Sequence, residues 1–507
     1  MKKLTVFTRA RQAVLRALSA YNHRLSKLYS PNIAAFTGVA VVLAMLVFTL
    51  FIPPRVGVAD DGSLSGVLLE SGLGYRQMDL TDETGSYFIR LYLHSTRQAG
   101  GFSTHRLLIR AAMWVDDQFT HDNLFDIHYL AGLYILLYLP AVWLVLRGIA
   151  ARVKVAAEAT FLVILGAVVL GDAALTAYFS SLYPEALWHI GVVYCLGFSL
   201  ALQHGKPGWT HAGLIGLTFT GGVLTLTESH CAAVGLVLTV YLVRLIMMED
   251  RTAQSSMIAG ICAAVMLTST VVSATAGADR FTDASKLHAM TNGVLLRAEN
   301  PEEALAEFGI EPRFETLTDM SSYSSYPYTL PGEPEVQRSF LSRYSIGSII
   351  FYYIKHPLAY AGLMELGVRA AFHPVRSYVG SYERSAGLPE RLANQQLTFY
   401  SNFKANSLPQ TMGFLLILMV VYWALFRKRR GLNPHSARWT FRERQIMLDT
   451  FIMLLVLGVA HLSAVIFLSG TAELERYQLL CGTCVDGMIL LFIAEILHRL
   501  NILSSED

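Results

Sequence analysis

The sequence predicts an all-α protein that crosses a lipid bilayer about ten times. Hydrophobic residues make up 53% of the 507 positions and charged residues only 15%. The mean hydropathy is +0.42, and the apolar residues are collected in runs of membrane-spanning length. This composition is typical of proteins that have lipid as their main solvent, and it argues against a soluble multidomain protein.

A basic arm precedes the first apolar run. Residues 1–32 contain seven lysines and arginines and no acid, which suits an anionic inner leaflet. The run begins too far from Met1, and lacks the small-residue cleavage pattern, to be an ordinary cleaved signal. Ten runs are near the length of the hydrocarbon core, some with help from tilt. The predicted spans are 33–53, 127–146, 157–178, 186–203, 210–226, 230–248, 256–275, 410–426, 447–469 and 475–497.

Ten spans return the chain to the side on which it began, so both termini are predicted to be cytoplasmic. The segment 427–446 supports this orientation, because it contains seven lysines and arginines against one acid, Glu443. Loops on the cytoplasmic side are enriched in lysine and arginine. The chain then divides into a transmembrane core at 33–275, a large outer loop at 276–409 and C-terminal helices at 410–507.

Two large loops, 54–126 and 276–409, are therefore expected on the same outer face. In the first, short amphipathic helices are expected at Tyr87–His94 and Arg106–Val115, where they could lie along the membrane interface. In the second, Tyr344–Phe372 is an apolar, aromatic helix candidate that Pro357 interrupts.

The five cysteines do not indicate a disulfide framework, because none lies in the two long loops. Cys481 and Cys484 have the spacing of a redox or metal motif. They lie in an apolar helix without a second Cys or His pair nearby, which favours a packing role. The sequence therefore predicts no metal ligands, and a divalent cation stays possible without being required.

The strongest candidate for chemistry is the stretch that follows the first span, Val56–Tyr75. It contains Asp60 and Asp61, followed by Gly62 and Ser63. Carboxylates at the mouth of a membrane helix are costly to desolvate, so they need water, partners or a function. A solvated loop end that stops the helix is the simpler interpretation of this pair on composition alone.

Further polar and aromatic side chains are expected on the same outer face. An ionisable residue inside a span, such as Asp172, usually faces a cavity or a partner. The others follow or precede spans, or lie in the large loop. The predicted substrate-binding residues are Asp172, Tyr183, Glu185, Glu228, His230, Arg376, Tyr382, Glu473 and Arg476.

These residue types suit group transfer at an outer membrane surface. That side has no access to ATP or nucleotide sugars, so a transferase there needs a donor attached to a lipid. Such an enzyme needs a carboxylate base, arginines for a lipid phosphate and aromatic side chains that stack on sugar rings. All three are present in the outer segments.

Six stretches of the sequence, in this order along the chain, carry a resemblance to a known family. They are ADDG at 59–62, LFDIH at 124–128, YFSSLYPE at 178–185, the segment 293–310, GSYERSAG at 380–387 with YSNFK at 400–404, and ELERY at 473–477. Together they resemble the bacterial polytopic glycosyltransferases of the GT-C superfamily, and within it the group called Wsf-type glycan biosynthesis hexose transferases.

The resemblance implies a GT-C-like fold and an inverting hexose transfer in the bacterial plasma membrane. The donor would be a polyprenyl-phosphate-linked sugar, and the acceptor a cell-surface glycan or glycolipid; membrane lipids are further partners and nucleic acid is not expected. Asp60 matches the position of the family's general base, and Asp61 leaves open which acid of the pair acts. Arg476 or a loop arginine would stabilise the leaving phosphate.

Two other functions remain open on the sequence. An O-antigen ligase or polymerase also has many spans and a large late loop, but it would rely on loop arginines and histidines. A transporter or flippase of lipid-linked glycans would show charged or broken sites near mid-membrane and a repeat that relates its halves. The asymmetric loops fit a transporter poorly.

Overall fold

A computed structural model gives the structure of most of the chain. It describes residues 30–81, 84–95, 102–153, 155–204, 207–248, 253–278, 282–321, 333–374, 379–427, 441–472 and 474–500. Residues 1–29 of the predicted basic arm, most of the basic segment 427–446, and the predicted site residues Arg376 and Glu473 lie outside this set.

The described chain is mostly helical. Its first part contains α1 (Pro31–Phe51), α2 (Leu64–Ser71), β1 (Leu73–Gly74), β2 (Leu91–His94), α3 (Thr104–Phe119), β3 (Leu124–Asp126) and α4 (Ile127–Ala150). The central part contains α5 (Ala156–Leu170), α6 (Ala173–Thr176), α7 (Glu185–Ala201), α8 (Pro207–Thr225), α9 (Ala232–Ile246) and α10 (Ala253–Ala278).

The second large loop and the C-terminal part are also helical. The loop contains α11 (Asp283–Ala289), α12 (Leu295–Arg297), α13 (Pro301–Glu307), α14 (Pro334–Ser339), α15 (Ile346–Lys355), α16 (Pro357–Ala371) and α17 (Phe399–Ser407). A π-helical turn at Met290–Val294 joins α11 to α12. The last helices are α18 (Met412–Arg427), α19 (Phe441–Ser469) and α20 (Leu474–Leu500).

Helices lie at all ten predicted spans, but fewer are long and apolar enough to cross a membrane. Seven helices of the described chain meet that standard, and an eighth is possible if α17 and α18, which meet at 102°, form one broken span. Helix α7 is apolar but shorter, and α8 is not among the seven. The protein is therefore a multi-pass helical membrane protein, and the predicted number of ten spans is approximate.

Helix α1 begins, and helix α20 ends, at the same end of the bundle. Arg147, at the end of α4, donates a hydrogen bond to Asn32 at the start of α1 (2.8 Å). Just beyond α4, Arg152 forms an ion pair with Glu495 near the end of α20 (2.7 Å). The placement of both termini in the cytoplasm stays a prediction.

The two large loops meet at the opposite end of the bundle, which is called the loop face here. The segment Gly380–Tyr382 of the second loop lies in an extended conformation beside Gly57 and Ala59 of the first loop. The Gly57 and Ala59 amides donate to the carbonyls of Ser381 (2.9 Å) and Gly380 (3.0 Å). A Cβ at Gly380 would lie 2.2 Å from the Ser86 carbonyl oxygen, so only glycine permits this approach.

A small antiparallel sheet on the loop face corrects one expectation. Tyr87–His94 does not form an amphipathic helix, because Leu91–His94 is strand β2, which pairs with β1 on one side and β3 on the other. Its backbone groups are satisfied by partners distant in sequence, which local periodicity does not report. Arg106–Val115 is helical as predicted, within α3.

The aromatic segment 344–372 is confirmed as two helices, α15 and α16. The break falls at His356, directly before Pro357 at the first position of α16. Proline is tolerated there because it has no N–H to leave unpaired. Cys481 and Cys484 are free and buried inside α20, as expected for packing residues.

Candidate active site

The acidic stretch forms a tight turn that starts α2. One carboxylate oxygen of Asp60, Oδ1, accepts hydrogen bonds from the amides of Gly62 (2.8 Å) and Leu64 (3.1 Å). Asp61 Oδ1 accepts from the amide (3.1 Å) and hydroxyl (2.5 Å) of Ser63. Gly62 has a φ of 99°, a conformation that favours glycine. The sequence Asp-Asp-Gly-Ser therefore presents two adjacent carboxylates at a helix N-terminus.

Two tyrosines fix the acid pair. The Tyr75 hydroxyl donates to Asp60 Oδ2, and the Tyr183 hydroxyl lies 2.8 Å from Asp61 Oδ1 and 3.4 Å from Asp60 Oδ1. The same Tyr183 oxygen accepts the Asp61 amide proton (3.0 Å). Burial raises the pKa of Tyr75, and the Asp60 charge raises it further. Tyr75 therefore keeps its proton and donates it in the hydrogen bond to Asp60.

Arg476 lies against the face of the Tyr183 ring. Its guanidinium carbon is 5.2 Å from the ring centroid. Its Nε lies 3.0 Å from Glu185 Oε1, and its Nη2 lies 3.7 Å from Glu228 Oε1. Glu185 is fully buried, so the Arg476 charge stabilises a carboxylate that has no access to water.

A cavity of about 240 Å³ opens beside Arg476. It is lined by residues of α2, α3, the turn before α9, the start of α11, the end of α19 and the start of α20. Its acidic and basic side chains are Glu70, His105, Arg106, Glu228, His230 and Arg476, and Tyr477 also lines it.

The charges around this cavity are nearly balanced. Arg106 forms an ion pair with Glu70 (3.3 Å). Glu70 belongs to α2, the helix that begins just after Asp60 and Asp61. Burial, together with Arg476 and Arg106, lowers the pKa of His105 to about 3. His105 is therefore neutral at physiological pH, and the two arginines supply the positive charge of the cavity.

The structure brings together most of the predicted residues, from segments far apart in sequence. Tyr183, Glu185, Glu228, His230 and Arg476 join the acid pair through the contacts described above. The Tyr477 hydroxyl is 3.4 Å from Glu228 Oε2, so the last residue of the ELERY motif also contacts this group.

Asp172 and Tyr382 have other contacts. The Asp172 carboxylate is fully buried and accepts the amides of Ala174, Tyr400 and Ser401, each at 3.0 Å. These bonds cap α6 and fasten α17 to it. The Tyr382 hydroxyl donates to Asn394 Oδ1 (3.0 Å), within the extended segment that joins the loops. Both contact sets are those of residues that position the loop face.

Arg106 is one of the outer-loop arginines expected to bind a lipid phosphate, whereas three other lining or neighbouring residues were not singled out in the sequence. Glu70 and His105 belong to the first loop, where nothing in the local pattern separates them from other polar residues. His461 lies inside α19, and only the fold brings it next to Trp188 and His230. The Tyr477 ring packs against His230 in the same aromatic cluster.

One group of side chains has the composition of a metal site. The ligand atoms of His230, Cys231 and His461 all lie within 4.8 Å of one another, and all three side chains are buried. Sequence spacing does not reveal this group, because His461 is 230 positions beyond Cys231.

Comparisons with known proteins give a family and one distant structural likeness. An archaeal oligosaccharyltransferase, AglB from Archaeoglobus fulgidus in complex with an inhibitory peptide and a dolichol-phosphate, is similar over 92% of this chain and 51% of that chain. The two share 11% sequence identity with a TM-score of 0.38. This chain thus spans about half the length of that protein. No curated protein matches the present chain.

A family model described as the YfdI N-terminal transmembrane domain matches residues 20–507. Because the match extends over nearly the whole sequence, the protein belongs to the YfdI N-terminal transmembrane domain family.

Proposed function

We propose that this protein is a GT-C-like membrane glycosyltransferase that moves a hexose from a polyprenyl-phosphate-linked donor to a cell-surface glycan or glycolipid. The observation that carries the proposal is the position of Tyr183. It contacts Asp60 and Asp61 through its hydroxyl and Arg476 through its ring. One side chain thus joins a carboxylate pair to a cavity that contains arginines.

The cavity suits the phosphate of a lipid-linked donor. Arg106 and Arg476 both line it, and arginine binds phosphate oxygens through two parallel N–H donors. The Arg476 contact with Glu228 is long, at 3.7 Å, so a phosphate could replace that carboxylate while Glu185 keeps its shorter bond.

The acid pair suits the acceptor side of the reaction. The acceptor hydroxyl oxygen would attack the anomeric carbon as the bond from that carbon to the phosphate oxygen breaks. The acceptor proton passes to Asp60, and the bonding electrons leave with the polyprenyl phosphate, whose charge Arg476 stabilises. Attack opposite the leaving group inverts the anomeric configuration. Asp61, which shares Tyr183 with Asp60, is the alternative base.

The proposed setting is a bacterial plasma membrane with the loop face outside and both termini in the cytoplasm. The hexose, the polyprenyl phosphate and the Wsf-type subgroup come from the resemblance of the six motifs. A divalent cation is compatible with the acid pair, since Mg²⁺ and Ca²⁺ prefer carboxylate oxygens.

A ligase-like or polymerase-like transferase is the second candidate. The cavity contains two arginines and two histidines, which are the residue types expected of that class. In such an enzyme the acid pair would have no direct chemical role. Replacement of Asp60 therefore distinguishes a ligase-like or polymerase-like enzyme from the proposed hexose transferase.

Mass spectrometry of surface glycans from cells with and without the protein tests the proposal. We expect one hexose to be missing without the protein and restored by the wild-type chain. Transfer of labelled hexose from a polyprenyl-phosphate donor by the protein in liposomes is the matching test in vitro. Unchanged glycans together with no transfer in liposomes would contradict the proposed function.

A further inference from the structure

The group formed by His230, Cys231 and His461 lies beside the cavity and has no part in the proposed transfer. His230 and Cys231 belong to the single turn Ser229–Cys231 that precedes α9. His461 lies in α19, eight residues before the helix ends at Ser469, or about 12 Å along its axis. The three ligand atoms lie within 4.8 Å of one another.

The imidazole nitrogens of this group lack the hydrogen bonds that burial demands. Within the described residues, His230 Nε2 and both ring nitrogens of His461 have no hydrogen-bond partner. His461 is fully buried and His230 is 5% exposed. A buried polar group without a partner costs about 1–3 kcal/mol. One such nitrogen from each histidine, beside a buried thiol, indicates a ligand that accepts lone pairs.

A carboxylate orients one of the two histidines. Glu228 Oε2 lies 3.5 Å from His230 Nδ1, which leaves Nε2 as the nitrogen that faces the group. Metal-binding histidines usually contact a carboxylate or carbonyl through their other nitrogen in this way. The rings of Trp188 and Tyr477 pack against His230, with centroids 5.2 and 4.4 Å from it, and limit its rotation.

The cavity provides a route for an ion. His230 lines the cavity on one side and belongs to the His230–Cys231–His461 group on the other. An ion could therefore enter from the loop face without crossing the bundle. An exchangeable fourth ligand, such as water, could come from the same direction.

We propose that His230, Cys231 and His461 bind a thiophilic metal ion, Zn²⁺ or Cu⁺. One thiolate and two imidazoles suit either ion, whereas Mg²⁺ and Ca²⁺ prefer oxygen ligands. The bound ion fastens the turn before α9 to α19. It thereby sets the position of Glu228, which contacts both His230 and Arg476. This site is separate from the acid pair and does not depend on the proposed transferase activity.

Metal analysis of the purified protein tests the site. The full-length chain, purified in detergent through a tag without histidines, is loaded with Zn²⁺, or with Cu⁺ under reducing conditions, and then washed with a weak chelator. We expect about one ion of Zn²⁺ or Cu⁺ to remain per chain. Loading with Co²⁺ should give a thiolate-to-cobalt charge-transfer band. Wild-type protein that retains neither ion would overturn the proposal.

Variants identify the ligands. Cys231→Ala should abolish the cobalt band, and His461→Ala should reduce metal retention at least tenfold, in line with the loss of a ligand. Cys195→Ala, which removes a buried cysteine outside the group, is the matched control and should retain the ion. A band that survives in Cys231→Ala would assign the metal to another thiol and refute this site. If Cys231→Ala does not fold, metal retention and the cobalt band of the wild-type protein still decide whether the site binds metal.

Discussion

The guanidinium carbon of Arg476 lies 5.2 Å from the ring centroid of Tyr183. The hydroxyl of that ring lies 2.8 Å from Asp61 Oδ1 and accepts the Asp61 amide proton. A single tyrosine therefore contacts both the cation of the cavity, through its ring, and the carboxylate pair, through its hydroxyl. In the proposed reaction, phosphate departure belongs to the ring contact and proton removal to the hydroxyl contact.

Asp60→Asn should reduce hexose transfer by about 10²–10⁴-fold, the usual contribution of a general base. Asparagine keeps an oxygen that can accept the Gly62 and Leu64 amides, so the turn should survive while the proton acceptor is lost. Asp61→Asn should have a smaller effect. The measurement is transfer in liposomes, with membrane level checked by immunoblot.

Asp79→Asn is the matched control for the acid pair. Asp79 lies in the same loop and forms an ion pair with Arg76 (2.8 Å). The Asp79→Asn variant should leave hexose transfer unchanged. Near-normal activity of Asp60→Asn would remove Asp60 as the base and favour the ligase-like alternative.

Arg476→Ala should weaken use of the lipid-linked donor more than Asp61→Asn does. It should also destabilise the protein by about 3–5 kcal/mol, because Glu185 is left buried without its cation. The double variant Arg476→Gln with Glu185→Gln removes both charges and should recover most of this stability. Its donor use should stay low, as shown by a raised KM. Normal donor use by the stable double variant would contradict the phosphate role.

The protein should become less stable as the pH decreases, partly because of His105. Its pKa is lowered to about 3 in the folded protein, against about 6.5 in an unfolded chain. Between these values the unfolded state binds a proton that the folded state does not, so stability is full above about pH 6.5 and decreases as the pH falls toward 3. His105→Gln should flatten this dependence in melting curves. The exposed His121 is the control, and equal flattening by His121→Gln would contradict the assignment.

Lys404 and Asp486 form a buried ion pair (2.7 Å), and the Lys404 side chain is fully buried. Lys404→Met should cost about 3–5 kcal/mol, since it leaves the Asp486 carboxylate unpaired by a cation. Adding Asp486→Leu should restore most of that loss. Lys355→Met, which removes a surface pair with Glu307, should cost no more than about 1 kcal/mol. Melting temperatures in detergent that show equal losses for Lys404→Met and Lys355→Met would refute this expectation.

A reporter fused near residue 435 should read as cytoplasmic, because the surrounding segment is strongly basic. A reporter inserted near residue 318, in the second large loop, should read as external. Enzymatic reporters active on one side of the membrane make both measurements. The opposite pair of results would place the loop face inside the cell and exclude a surface acceptor.

The sequence by itself determined the helical membrane architecture. Apolar runs are a local property, and a bilayer requires each crossing segment to satisfy its own backbone hydrogen bonds, so hydropathy reports helices directly. The break before Pro357 and the packing role of Cys481 and Cys484 followed from equally local features. The six motifs also directed attention to Asp60, Asp61 and Arg476 as candidates.

Only the tertiary structure decided which residues meet. Strand β2 has hydrogen-bond partners far along the chain, Asp172 caps a helix 228 positions later, and Arg476 pairs with Glu185 across 291 positions. His461 reaches His230 and Cys231 only through helix packing. These contacts depend on how the helices and loops pack together, and local periodicity contains no record of that packing.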